Sequence, residues 1–290
     1  MIRIADSHTD FLTSMSAHER EKYVERCVNA GVEMLICAVF TTEHNFNIKD
    51  IELFNEEIKY LSEKYNIRLL LSIEDCAFIK DEVCLYKLID LKPFSVTLTW
   101  NAKNQFAGGS KTDLGLTGLG RETVTMLEAS GIIVDTAHMS ERSFYDFVST
   151  TALPIFNSHS NIDSINPHVR NLKDEQISLI VNTGGYMGLT LYDEFISGNA
   201  INGNAVVKQL EYLIDNFSFD CFGLGTDLYG VDENHLPIDM KCYDELHKLA
   251  DELIEKYNMD ISAKIMSKNL VAFVDKMCKT RELNKLFLKT

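Results

Sequence analysis

Residues that interrupt a globular chain are scarce in this sequence. Only four of its 290 residues are proline, and no stretch rich in serine, glycine and proline divides the chain. Such stretches are typical of linkers between domains. We therefore expect a single domain over residues 1–290.

Long apolar runs and a surplus of positive charge are also missing. No run approaches the roughly 20 apolar residues that cross a bilayer, and no basic region followed by an apolar one marks a secretory signal. The 28 lysines and arginines face 43 acidic residues, for a formal net charge of −15. A chain this acidic is a poor partner for nucleic acid or for an anionic membrane surface.

Cysteine pairs of the kind found in metal sites and redox motifs are absent too. The seven cysteines are scattered and include no Cys-x-x-Cys. An odd number of unpatterned cysteines indicates free thiols rather than a disulfide framework. Because free thiols are typical of a reducing compartment, we expect a cytoplasmic protein.

What the sequence does contain is a regular alternation of short apolar segments with longer amphipathic ones. Strands are predicted at residues 2–5, 34–39, 69–73, 94–99, 132–135, 154–157, 185–190 and 222–225. Helices are predicted at residues 17–30, 48–64, 77–89, 119–129, 141–150, 173–182, 205–216, 243–257 and 261–276. Apolar strands that alternate with helices indicate a parallel sheet covered on both faces. Eight such units predict an α/β fold, a (β/α)8 barrel of the TIM type, which typically spans about 250 residues.

Histidines and acidic residues closely follow several of these predicted strands. In chain order they are His8, Asp10, Glu74, His138, His159 and Asp227. Because the active sites of such barrels are built at the carboxyl ends of the strands, we expect these side chains to converge. Three imidazoles and three carboxylates can hold two divalent ions with a carboxylate between them. Such a pair of ions promotes the hydrolysis of an amide, an ester or a phosphate.

The remaining histidines lack this placement. His18, His168, His235 and His247 are interpreted as surface or loop residues. His44 follows the second predicted strand, but no pattern of partner residues accompanies it.

A series of motifs covers nearly the whole chain in a specific order. They are Asp6-Ser-His-Thr-Asp10, Val96-Thr-Leu-Thr-Trp-Asn101, Gly115-Leu-Thr-Gly-Leu-Gly120, Val134-Asp-Thr-Ala-His-Met-Ser140, Phe156-Asn-Ser-His-Ser160 and Val169-Arg-Asn-Leu-Lys-Asp-Glu175. In these motifs the chain resembles the membrane dipeptidases (renal dipeptidase family), which are binuclear zinc hydrolases on a barrel related to the amidohydrolases. The resemblance implies a metal-dependent hydrolase that cleaves the amide bond of a dipeptide.

The same resemblance implies a set of metal ligands. His8 and Asp10 would bind one zinc ion, and His138 and His159 would bind the second. Glu74 would bridge the two ions. Imidazole and carboxylate ligands without cysteine suit zinc, although manganese or iron could take its place.

On the substrate side, the resemblance implies roles for Asp227 and Arg170. Asp227 would contact the bridging water and move its proton to the leaving amine. The guanidinium of Arg170 would pair with the C-terminal carboxylate of the substrate, because its fork of donors suits bidentate pairing. For Arg170, a solvated loop cation is the alternative that the sequence leaves open.

Three features of the substrate side depart from the family pattern. The family usually has a substrate-contacting histidine where this chain has Trp100, whose indole can donate one N–H but cannot titrate. We expect Trp100 to line the substrate pocket. Asp75-Cys76 follows the bridging glutamate in place of the usual glycines, and Asp227-Leu-Tyr-Gly230 replaces the usual Asp-x-Asp-Gly.

The sequence thus favours a cytoplasmic dipeptidase with two divalent ions and a small-molecule substrate. The dimers of the family imply a homodimer by analogy. Two alternatives stay open. Because Trp100 replaces the family's histidine, the substrate could be another small amide, an ester or a lactone. The chain could also be a catalytically silent binding protein in which the metals are structural.

Overall fold

The structure, a computed structural model, describes residues 2–42, 47–198 and 201–287. Eight parallel strands close into a barrel in which each strand pairs with the next and the last pairs with the first. The strands are β1 (Ile4–Thr9), β2 (Val32–Phe40), β3 (Arg68–Glu74), β4 (Ser95–Thr97), β5 (Ile133–Asp135), β6 (Phe156–Asn157), β7 (Tyr186–Leu189) and β8 (Phe222–Leu224). The predicted (β/α)8 barrel is confirmed.

Helices follow the strands and surround the barrel. Within the described residues they are α1 (Phe11–Ser14), α2 (Ala17–Asn29), α3 (Ile48–Tyr65), α4 (Glu82–Leu91), α5 (Gly118–Ala129), α6 (Glu141–Val148), α7 (Asp174–Asn182), α8 (Asp193–Ile196), α9 (Gly203–Asn216), α10 (His247–Lys256), α11 (Met259–Ala263) and α12 (Asn269–Phe287). Short 3-10 turns occupy Cys76–Phe78 and Glu233–His235, and a π-helical segment, Lys264–Lys268, joins α11 to α12.

The apolar strand β2 illustrates how the sequence specifies the barrel. Its side chains alternate between two faces, as in any strand. Leu35 and Cys37 pack towards the surrounding helices, whereas Met34 and Ile36 join a second cluster. β2 pairs with β3 along an unbroken register that ends with Phe40 opposite Glu74. This register fixes the height of Glu74 at the carboxyl end of the barrel.

The second cluster fills the opposite, amino-terminal end of the barrel. It combines residues from the starts of several strands with four buried side chains of α12, namely Leu270, Phe273, Val274 and Met277. The ring of Phe273 stacks on Phe156 with a centroid distance of 5.4 Å. Because α12 closes this end with apolar side chains, the carboxyl end is the one left for polar chemistry.

Several predicted elements differ in their bounds from the structure, among them the helix predicted at residues 261–276, which the π-helical segment divides, and two of the differences have a clear local cause. The first strand was predicted at residues 2–5, but β1 starts at Ile4 and continues to Thr9, so that His8 lies inside it. Asp6 is accommodated in this strand because its carboxylate accepts hydrogen bonds from the backbone N–H groups of His8 and Thr226. The helix predicted at residues 77–89 begins only at Glu82, because Asp81 accepts a bond from the Cys84 N–H and caps α4.

His44 lies outside the described residues. The expectation of a single domain over residues 1–290 stays a prediction. No helix within the described part of the chain is both long and apolar enough to cross a membrane.

Candidate metal centre and active site

A cavity of about 560 Å³ opens at the carboxyl ends of the strands. Four of the six residues singled out for metal and proton chemistry line it, namely Asp10, Glu74, His138 and Asp227. The other two, His8 and His159, are buried beside them, each with 1% of its surface exposed. The fold therefore brings all six together from five different strand ends.

His8 is the centre of the first group of donors. Its Nε2 atom lies 3.1 Å from Oδ2 of Asp10 and 3.4 Å from Oε2 of Glu74. Oδ1 of Asp227 lies 3.8 Å from the same nitrogen. These four side chains meet from β1, β3 and the loop after β8.

A second group of donors surrounds the other oxygen of Glu74. Oε1 lies 2.8 Å from Nε2 of His138 and 3.9 Å from Nε2 of His159. The two imidazole nitrogens are 2.9 Å apart. The two oxygens of Glu74 thus face different sets of ligand atoms, the arrangement that a bridging carboxylate requires.

The donor chemistry of these groups fits divalent metal ions. Nε2 of His8 and both carboxylate oxygens of Asp10 are buried and have no hydrogen-bond partner among the described residues. Leaving a buried polar group without a partner typically costs about 1–3 kcal/mol. Nitrogen and carboxylate donors without a thiolate suit zinc, manganese or iron.

Neighbouring polar groups fix the two imidazoles of the second group. Nδ1 of His138 lies 3.0 Å from Oδ1 of Asn101, and Nδ1 of His159 lies 2.7 Å from the hydroxyl of Ser158. Partners of this kind orient a metal-binding histidine and set its tautomer. The Nδ1 atoms of both rings are occupied by these contacts, which leaves the Nε2 atoms for a metal.

Burial and neighbouring charges separate the pKa values of these groups. Burial lowers the pKa of His138 to about 4 and that of His159 well below its ordinary value, so both imidazoles are neutral near pH 7. For His8, burial acts in the same direction, but the carboxylates of Asp10 and Glu74 outweigh it and raise the pKa. Burial raises the pKa of Asp227 well above its usual range, although His8 opposes this.

Backbone strain is concentrated around the cavity. Six non-glycine residues among those described have positive φ angles, and two of them end α3 and α4. The other four lie at strand ends beside the ligands: Asp75, His138, Asp227 and Tyr229. Strained backbone conformations of this kind cluster at active sites, where surrounding contacts hold them in place.

Gly230 allows the backbone to approach the carboxylates closely. A Cβ atom at this position would lie 2.2 Å from Oδ1 of Asp227 and 2.6 Å from Oδ2 of Asp10. Any side chain would therefore displace at least one of the two acids. The Asp227-Leu-Tyr-Gly230 segment keeps its glycine for this steric reason.

Arg170 lies in the wall of the cavity with 5% of its surface exposed. It donates to the carbonyl oxygen of His159 at 3.1 Å, and its guanidinium lies 5.4 Å from the ring centroid of Phe195. Burial lowers its pKa to about 10, which keeps it charged near pH 7. The carboxylates of Glu74, Asp227 and Asp135 influence Arg170 through their charge and not through a hydrogen bond, and its Nε has no hydrogen-bond partner among the described residues. It is therefore a buried cation rather than the solvated loop residue that the sequence left open.

Trp100 also faces the cavity. Its ring lies 5.2 Å from that of Phe40 and 6.0 Å from that of His138, measured between centroids. It is half-buried and lines the cavity instead of packing in an interior layer of the barrel.

Two histidines at the cavity were not assigned to a site from the sequence. His168 and His235 are loop residues as expected, yet both line the cavity. Nδ1 of His168 accepts the backbone N–H of Arg170 at 3.2 Å, and Nδ1 of His235 lies 3.0 Å from Oδ1 of Asp193. His168 stands two residues before Arg170, and this short spacing is the local feature of the sequence that could have placed His168 at the cavity.

The fold and the clustered donors define a parallel α/β barrel with a candidate two-metal centre at its carboxyl end. The chain belongs to the membrane dipeptidase family (peptidase family M19), whose family model matches residues 43–285. This confirms the resemblance seen in the sequence motifs.

Curated relatives are similar over part of their length. An uncharacterized dipeptidase of Schizosaccharomyces pombe is 25% identical over 227 residues, which cover 74% of this chain and 54% of the relative. An uncharacterized protein encoded in the pqqA 5' region of Klebsiella pneumoniae is 28% identical over 145 residues, or 46% of this chain and 54% of the relative. The chain therefore spans about half the length of these relatives.

Solved structures share the fold along nearly the whole chain. Dipeptidase AC, described as a metallopeptidase, superposes with a TM-score of 0.83 at 19% identity and covers 94% of this chain and 98% of its own. A Rhodobacter sphaeroides metallopeptidase bound to a phosphinate mimic of the dipeptide L-Ala-D-Ala has a TM-score of 0.81 at 18% identity. That comparison covers 95% of this chain and 99% of the other.

Proposed function

We propose that this chain is a binuclear metal-dependent dipeptidase that hydrolyses the amide bond of a small dipeptide. The observation that carries the proposal is that the two oxygens of the Glu74 carboxylate face two different groups of ligand atoms. Family membership supports it, as does the dipeptide mimic bound by the Rhodobacter sphaeroides relative. The cavity of about 560 Å³ is within the size range of small-ligand sites.

The proposed ligands divide into two sets that share Glu74. His8 and Asp10 would hold one ion, and His138 and His159 would hold the other. Two bound divalent ions, with zinc as the simplest choice, would supply an activated water and an electrophile for the scissile carbonyl. The location of the protein in the cytoplasm and its assembly as a homodimer stay predictions.

Asp227 is the proposed proton carrier. Its side chain is 14% exposed and lines the cavity, so substrate can reach it, while Oδ1 stays 3.8 Å from Nε2 of His8. One of its oxygens would accept a proton as water adds to the carbonyl carbon. The same carboxyl would then give that proton to the amide nitrogen as the C–N bond breaks, which releases an amine and a carboxylate.

Arg170 is the proposed anchor for the substrate. A dipeptide carries a free carboxylate beside its scissile bond. A buried guanidinium that has no ion pair with any described carboxylate can bind it. The contacts of Arg170 with His159 and Phe195 hold its position in advance. Such preorganisation lowers the entropic cost of binding.

A panel of substrates tests the proposed activity. Metal-loaded protein is expected to hydrolyse L,L- and L,D-dipeptides, with slower or no turnover of N-blocked amides, esters and lactones. Removing the metal with a chelator should abolish the activity, and adding zinc should restore it. Preferential turnover of esters or lactones would replace the dipeptide proposal, and no turnover of any substrate would refute an enzymatic role.

Arg170→Ala is expected to raise KM for dipeptides by about 10–100-fold, since a hydrogen bond to a charged group contributes about 1.5–3 kcal/mol. Dipeptide amides, which lack the carboxylate, should be affected little. Steady-state kinetics on matched acids and amides would measure the difference. Arg170→Lys keeps the positive charge but loses the planar guanidinium, and it is the control that separates charge from bidentate hydrogen bonding. Equal losses on both substrate types would show that Arg170 acts structurally.

Trp100→His is expected to raise dipeptidase activity. The family usually places a substrate-contacting histidine here, and removing one donor to a developing oxyanion typically lowers the rate by about 10²–10³-fold. The wild-type protein should therefore turn over ordinary L,L-dipeptides weakly. Trp100→Phe, which keeps an aromatic ring without the N–H, is the matched control. Unchanged kinetics in the histidine variant would show that position 100 does not contact the reacting carbonyl.

A further inference from the structure

Asp75 occupies an unusual position directly after Glu74. Its backbone has φ 70° and ψ 115°, a region that glycine adopts freely and other residues rarely do. The family usually has glycine at this point of the chain. Asp75 is 5% exposed, so it is both strained and buried, and it lies next to Glu74, which contacts both ligand groups.

The carboxylate of Asp75 joins three separate segments. Oδ1 accepts the backbone N–H of Ala77 at 2.9 Å and the amide N–H of Asn104 at 3.0 Å. Oδ2 accepts the hydroxyl of Thr42, which follows β2. A residue that only capped the turn after β3 would need the Ala77 contact alone.

The backbone of Asp75 is fixed on both sides as well. Its N–H donates to the Thr97 hydroxyl of β4 at 2.8 Å, and its carbonyl oxygen accepts the hydroxyl of Thr41 at 2.6 Å. The ends of β2 and β4 thereby hold the residue between them. The Thr41 hydroxyl also lies 3.2 Å from the carbonyl oxygen of Glu74, so these bonds fix the backbone at and directly after Glu74.

Asn104 extends the network to the other side of the cavity. Its side chain also donates to the carbonyl oxygen of Leu98 at 2.6 Å, so it ties together the two ends of the loop that carries Trp100 and Asn101. Oδ1 of Asn101 in turn contacts Nδ1 of His138 at 3.0 Å. One carboxylate thus connects the backbone of the bridging residue with the loop that supports a ligand and forms the pocket wall.

We propose that Asp75 is a positioning residue that sets the orientation of Glu74 and the place of the Trp100 loop. A glycine at this position would make no side-chain contacts. The aspartate fixes the turn after β3 through Thr42, Ala77 and Asn104. The effect on turnover rests on the proposed function. The effect on zinc affinity rests on the proposed metal centre, and the effect on the surroundings of Trp100 requires neither.

The test compares three substitutions at one position. Asp75→Gly removes the carboxylate and the backbone strain, Asp75→Ala removes the carboxylate alone, and Asp75→Asn keeps an acceptor for Ala77 and Asn104. Asp81→Ala is the matched control, because Asp81 accepts a single backbone N–H at the start of α4 in ordinary extended backbone. Thr42→Val removes one donor without changing the strained residue.

Four quantities are measured for each variant: thermal unfolding, zinc affinity, kcat/KM for a dipeptide, and acrylamide quenching of Trp100, which is the only tryptophan in the chain. Asp75→Gly should stay folded but lower zinc affinity by about 10-fold, at the low end of what losing a supporting group does. Its kcat/KM should fall by about 10-fold, since small misplacements of reacting groups have effects of this size or larger. Quenching of Trp100 should rise in Asp75→Gly and, less strongly, in Thr42→Val.

Rescue and control variants decide the outcome. Asp75→Asn should resemble wild type in all four measurements, and Asp81→Ala should lower only the unfolding temperature. If Asp75→Gly matches wild type in zinc affinity and in quenching, the positioning role is wrong. If Asp75→Gly changes both while wild type hydrolyses no dipeptide, the positioning role stands and the proposed function fails.

Discussion

Asp227→Asn is expected to abolish dipeptide turnover while the protein still binds two metal ions per chain. An amide cannot accept a proton from water and return it to the leaving nitrogen. Loss of general acid–base catalysis typically lowers rates by about 10²–10⁴-fold. Stopped assays on metal-loaded protein, run beside elemental analysis of the same sample, measure both quantities.

Asp220→Asn is the matched control for this variant. Asp220 lies just before β8, at the opposite end of the strand from Asp227, and pairs with Lys264 on the surface. The control should keep full activity. Full activity in Asp227→Asn would show that another group moves the proton, and loss of metal would show that Asp227 acts as a ligand.

Glu74→Gln is expected to have the larger effect on metal binding. Within the described residues, Glu74 is the carboxylate that faces both ligand groups, so the neutral amide would weaken both at once. We expect zinc affinity to fall by more than about 100-fold, beyond the 10–100-fold loss that follows removal of an outer partner. Turnover should fall with it and should return only in part at high zinc concentration.

Glu63→Gln provides the control, because Glu63 is exposed on α3, the helix that precedes β3. Isothermal titration of zinc into metal-free protein would measure the affinity of each variant. Tight binding of two ions by Glu74→Gln would rule out a bridging role for Glu74.

The sequence predicted the barrel because its strands are marked by local apolar runs. β2 is an uninterrupted example, and its pairing with β3 follows from burial on both faces. β1 was placed too early because Asp6 is a polar residue in such a run. The partners that accommodate its carboxylate, Thr226 and Tyr243, are 220 and 237 residues away in the chain. No local pattern contains that information.

The candidate site was predictable to a similar degree and for a related reason. Residues at strand ends converge whatever the loops do, so the positions of Glu74 and His138 followed from the strand map. His168 and His235 reach the cavity through loop conformations that have no periodic signal. The hydrogen bonds of the Asp75 carboxylate depend on Thr42 and Asn104, which come from two other loops.

Titration of zinc into metal-free protein, with hydrolysis of an L,L-dipeptide followed at each step, tests the central claim most directly. The two groups of ligand atoms around Glu74 predict that activity rises until two equivalents of zinc per chain are bound and then levels off. A plateau at one equivalent would contradict the binuclear site. Absence of hydrolysis at every zinc concentration would contradict the proposed activity itself.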